Sequence, residues 1–179
     1  MKNLILVLIF ALFAFSCTSV RISSDFDKTI DFTKYKTYKF TDEAMKLPVD
    51  DLNKNRLIAA VEKELGLKGF TKSETPDVLI EINLKGKNIQ TATANTSGGY
   101  GYGYRYGWGG GFSTTTINYD SYIEGTLFVD MIDASKNQLV WQGRGVGTLD
   151  PEANQAKREK NINYAVNQIF KKYPPVVGK

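Results

Sequence analysis

Histidine is absent from the 179 residues, and cysteine occurs once, at Cys17. Without histidine there is no Ser–His–Asp triad, no Cys–His pair and no imidazole metal ligand. A single cysteine excludes a thiolate zinc site and any disulfide within the chain. No phosphate loop is present either. The glycine-rich stretch 97–113, SGGYGYGYRYGWGGGFS, lacks the Gly-Lys-Ser/Thr ending and does not lead into a helix. Basic residues are not concentrated: 23 Lys and Arg against 19 Asp and Glu give a net charge of +4, spread along the chain. Nucleic acid is therefore not an expected partner, and no cofactor is expected. The long apolar run, residues 4–13, falls short of the roughly 20 residues a bilayer-spanning helix needs.

That run has the form of a secretory signal. Lys2 supplies the positive start, the apolar stretch follows, and small residues come at Ala14 and Ser16. Ala14-Phe15-Ser16-Cys17 resembles a bacterial lipobox, in which the cysteine is acylated and becomes the first mature residue. Phe15 is bulkier than the usual residue there. The expectation is a signal peptide over 1–16, lipid on Cys17, a tether over 17–24 and one domain over 25–175. Thr18, rather than Asp, follows the cysteine. By analogy with the enterobacterial sorting rule, that directs the protein to the outer membrane, facing the periplasm.

The organising stretch is 122–147. Ile123, Leu127, Val129 and Met131 alternate with polar residues, as in a strand with one buried face. Leu139 and Trp141 repeat the pattern after the turn formers of 133–137. Pairing Ala134 with Gln138 across a three-residue loop sets Met131 opposite Trp141 and keeps both apolar sets on one face. Elsewhere, 36–41 reads as a strand. Asp50 or Asp51 caps a helix to about Leu65 that Gly66 and Gly69 end. Residues 76–84 read as a central strand, followed by a polar strand or loop over 86–95. Asp150-Pro151 opens a second helix, of about 22 residues, that reaches Tyr173 and stops at Pro174-Pro175. The result is an α+β two-layer sandwich: one mostly antiparallel sheet of about five strands, with two helices packed on one face.

Three features bear on chemistry. Asp25, Asp27 and Asp31 lack the glycine and terminal glutamate of an EF-hand loop and read as turn carboxylates. Glu124, Asp130 and Asp133 gather near the hairpin in sequence, and two carboxylates suffice to cleave a glycoside. In the stretch 97–113, Tyr100, Tyr102, Tyr104, Tyr106 and Trp108 share one parity, with Gly or Arg105 on the other. Two readings stand for it: a glycine-rich insertion between strands, or an aromatic arm. Such an arm would stack on envelope glycans or dock on a partner protein.

The lipobox, GF…PDVLIEI, the Tyr/Gly insertion, GTLFVDMIDASKNQLVWQGRG and INYAVNQIFKKYPP together resemble the bacterial domain-of-unknown-function family numbered 4136, described as lipoproteins. The resemblance covers nearly all of the mature chain. It implies an α+β domain and brings no activity, substrate or catalytic residue. The functional expectation is a membrane-anchored envelope module that is not an enzyme and binds an envelope glycan or protein partner. A carboxylate-dependent hydrolase of envelope glycans and a structural subunit of an envelope assembly are the alternatives.

Overall fold

The structure is a computed structural model, and it describes residues 20–98 and 113–175. Six strands form one open mixed sheet: β1 (Arg21–Phe26), β2 (Thr37–Phe40), β3 (Thr71–Lys72), β4 (Val78–Gly98), β5 (Ser113–Asp133) and β6 (Gln138–Leu149). Their order across the sheet is β1-β6-β5-β4-β2-β3. Among the described residues two α-helices join the sheet, α1 (Asp51–Leu67) and α2 (Gln155–Phe170).

The sheet is mixed, where mostly antiparallel pairing and about five strands were expected. The cause lies in the connection between β2 and β4. A helix crossover, α1, joins them, so they run parallel, and β3 joins β2 in the same sense. The other pairs are antiparallel. Residues 21–24, expected to be tether, belong to β1, which forms the edge beside β6.

The central hairpin keeps the anticipated facing pair: Met131 lies opposite Trp141. Its loop is longer by one residue. Asp133 pairs with Gln138, and Asn137 takes the left-handed conformation with φ 51°. The ladder then shifts between Met131 and Ile132, where β6 carries the extra residue Val140. The bulge restores the parity that puts Met131 and Trp141 on the buried face.

Helix α1 starts as its sequence dictates, with the Asp50 carboxylate accepting from the Asn53 amide at 3.0 Å. It ends in a Schellman motif. Gly69 has φ +85°, its amide donates to the Gly66 carbonyl, and Phe70 N donates to the Leu65 carbonyl. Helix α2 begins later than Pro151. Asp150 uses its carboxylate on the Glu152 amide, and the Arg158 guanidinium holds the Pro151 and Ala153 carbonyls. The cap therefore passes to Asn154, and the helix ends at Phe170 rather than Tyr173.

One face of the sheet holds the core. Val78, Ile80 and Ile82 of β4, Leu127, Val129 and Met131 of β5, and Trp141 of β6 are buried there. Leu57, Val61 and Leu65 of α1 join the same cluster, as do Val166, Ile169 and Phe170 of α2. Glu64, buried on α1, accepts from Asn167 Nδ2 on α2 at 3.1 Å. Tyr173, just past α2, packs edge-on against Trp141 at 5.4 Å and Phe32 at 5.8 Å. Among the described residues, both helices contribute to the core on this face, and none is placed on the other.

Candidate functional site

Strands β4 and β5 pair residue for residue from Val78↔Asp133 to Gly98↔Ser113. The polar segment 86–95 is thus the second half of β4, with no break from the first. Neither flanking strand follows them that far. β2 stops at Phe40↔Ile80, and β6 stops at Ile123↔Leu149. Ten residue pairs, from Ile89↔Tyr122 to Gly98↔Ser113, therefore stand beyond the sheet as a two-stranded ribbon. At about 3.4 Å per residue it is roughly 33 Å long. From Asn88 to Gly98 it contains no charged residue, and from Ser113 to Tyr122 its one charge is Asp120.

Tyr100, Tyr102, Tyr104, Tyr106 and Trp108 follow this ribbon in sequence and lie outside the described residues, as does Cys17. The sequence left 86–95 open as a polar strand or loop, and the structure makes it strand, continuous with the first half of β4.

Below the ribbon, the uncovered sheet face is polar and divided by charge. Its rows follow from the register. Glu81, Asp130, Gln142 and Asp25 lie side by side across four strands, and Asn83, Phe128, Arg144 and Ser23 form the next row. Lys85 and Arg21 share the row after that, and Lys87 lies opposite Glu124. The Phe128 ring sits under two cations, Lys85 Nζ at 5.4 Å and Arg144 Cζ at 5.7 Å from its centroid. Arg21 donates to Glu124 Oε2 at 2.6 Å. Burial, and then the neighbouring Glu81 carboxylate, push the Asp130 carboxyl above its usual range.

The three hairpin carboxylates that clustered in sequence do not converge. Asp130 and Glu124 share a face but stand six residues apart on β5, about 20 Å. Asp133 is of opposite parity and belongs to the core side. Asp133 is a turn organiser: it accepts from the Ser135 hydroxyl at 2.6 Å, the Ser135 and Lys136 amides, and the Tyr35 hydroxyl at 2.9 Å. The Ser135 hydroxyl, with these other donors, holds its carboxyl down at about 2. Burial and the same hydrogen bond lift Tyr35 to about 12. The aspartates near the N-terminus are turn groups as well. Asp27 accepts from the Thr29 amide and hydroxyl, and Asp31 from those of Thr33. Among the described residues no group of three acidic, cysteine or histidine side chains is placed to hold a metal.

The family described as "Domain of unknown function (DUF4136)" matches residues 22–175. The chain belongs to that family. No curated protein matches it. Among solved structures, the DUF4136 chain is similar to a PDZ domain protein from Parabacteroides distasonis, with TM-score 0.51 and 14% identity. That likeness covers 96% of this chain and 40% of the other, so this chain spans well under half of the neighbour's length. A PelC dodecamer from Paraburkholderia phytofirmans has TM-score 0.48 and 9% identity, covering 84% of this chain and 94% of that one. At 14% identity the likeness to the PDZ domain protein concerns the fold alone.

Proposed function

We propose that this DUF4136 protein is a non-enzymatic accessory module of the bacterial cell envelope. It is held on a membrane by lipid at Cys17 and binds an envelope component through the β4–β5 ribbon and the aromatic-rich stretch that continues it. The observation that carries the reading is the ribbon. Ten residue pairs run past both neighbouring strands, and none of their described side chains belongs to the buried core. An isolated two-stranded ribbon is marginal in water, so a partner surface explains its length. Tyr and Trp side chains after Gly98 suit such a surface, since each joins a large apolar body to a polar tip. The dispersal of Glu124, Asp130 and Asp133 gives the hydrolase alternative no paired carboxylates from that set.

The test is replacement of residues 97–113 by a short Asn-Gly turn in the acylated protein. Binding to purified peptidoglycan and to outer-membrane fragments is then compared with the parent chain. Loss of binding to either material supports the reading. Unchanged binding to both removes the aromatic stretch from it.

A further inference from the structure

The N-terminal end of β1 and the ribbon leave the sheet from the same end. Arg21 pairs with Val146, which pairs with Thr126, which pairs with Lys85; Phe26 lies at the level of Ile80. Val20 therefore stands level with Gly147, Gly125 and Gly86, and Gly98 lies twelve residues farther along β4. The ribbon runs roughly 40 Å past the point where the chain enters the domain. In the other direction the sheet continues eight residues, to Val78, or about 27 Å.

Cys17 precedes Val20 by three residues, a link of at most about 11 Å when fully extended. If the ribbon pointed straight away from the bilayer, the body of the sheet would hold Val20 about 27 Å or more above the surface, beyond the reach of that link. The short link permits only orientations in which the ribbon runs along the bilayer or into it.

Charge on the uncovered face points the same way. Exposed Lys85, Lys87, Arg144 and Arg21 occupy the end next to the ribbon and the chain entry, with Glu124 as the acid among them. Asp25, Glu81 and Asp130 occupy the end remote from it, with Lys39, bound to Glu74, as the base among them. A surface of anionic lipid headgroups attracts the first end and repels the second. On the ribbon, the run from Asn88 to Gly98 is uncharged and Asp120 is the one ion between Ser113 and Tyr122.

We infer that the surface the ribbon meets is the membrane carrying the anchor: the domain lies with its basic end and ribbon against anionic lipid headgroups, and with the Asn137 turn raised away from them. This rests on the anchored reading above and names its partner. The second contact adds to the acyl attachment, since basic surface and lipid chain reinforce each other.

The experiment uses the full acylated protein in zwitterionic vesicles doped with phosphatidylglycerol and a headgroup-linked nitroxide lipid. A fluorophore is placed at Gln90→Cys or, separately, at Asn137→Cys; the Cys17 sulfur, as a thioether, takes no label. Both sites are exposed, so labelling leaves the core intact. Several-fold stronger quenching at position 90 than at 137 is expected. Equal quenching, or stronger quenching at 137, overturns the inference. Lys85→Glu combined with Lys87→Glu is expected to weaken quenching at position 90 about tenfold in the anionic vesicles. No change there overturns the role of the basic end. Overturning either result with Cys17 shown to be acylated leaves the anchored module standing. A Cys17 found without lipid removes both.

Discussion

Ile169 on α2 occupies the space that a side chain at Gly143 on β6 would need. A β-carbon at Gly143 would overlap Ile169 Cγ2 and the Trp141 ring. The glycine thus lets helix and sheet approach closely at the centre of the core, where Ile169 and Trp141 are both fully buried. Gly143→Ala is expected to destabilise the domain by about 1–3 kcal/mol through overpacking. Gly86→Ala, with nothing within 4 Å of the added carbon, should be neutral or slightly stabilising. Urea unfolding of the two variants measures both.

Trp141 anchors the same region, facing Met131 across the ladder and touching Phe170 and Tyr173. Its truncation to alanine should cost about 3–5 kcal/mol, the usual range for emptying a buried aromatic site. A loss below about 1 kcal/mol by the same urea assay would contradict a core centred there.

The Tyr35–Asp133 bond gives a pH dependence. Asp133 titrates at about 2 in the folded chain, below its ordinary value of 3.8. A carboxyl lowered on folding stabilises fully above the unfolded value and loses that contribution as pH falls through the folded one. The midpoint of unfolding should therefore fall as pH is taken from about 4 towards 2. Asp133→Asn should flatten that part of the profile. Tyr35→Phe should cost about 1–3 kcal/mol near neutral pH, where a charged acceptor loses one donor.

Because neither β2 nor β6 extends alongside the ribbon, removing it should leave the body intact. Replacing residues 89–122 by a two-residue Asn-Gly turn is expected to change the stability of the remaining domain by less than about 1 kcal/mol. A cooperative loss of structure on this deletion, followed by circular dichroism, would show that the ribbon supports the core.

Much of the core was legible in the chain because burial writes period two or 3.6 into it. Val129, Met131 and Trp141 announced their shared face, and Asp50 and Gly69 marked the ends of α1. The hairpin loop was harder. Both a three-residue loop and a four-residue loop with a bulge at Val140 satisfy the same apolar pattern, and the side-chain bonds of Asp133 select the second. β1 was invisible for a related reason: as an edge strand it exposes Ser23, Ser24 and Asp25 and so resembles a tether. The ribbon, a polar strand or loop by its sequence, carries too little apolar periodicity to fix its length. The charge division of the open sheet face is spread over four strands, so only the register brings it together.

Every functional statement depends on what is attached to Cys17. The most direct measurement is the intact mass of the protein extracted from membranes of its own cells, with fragmentation at the N-terminus. The expected result is a chain that begins at Cys17 and carries acyl groups on that residue. A bare Cys17 sulfur, or residues 1–16 still in place, would contradict the anchored module and the membrane-facing ribbon together.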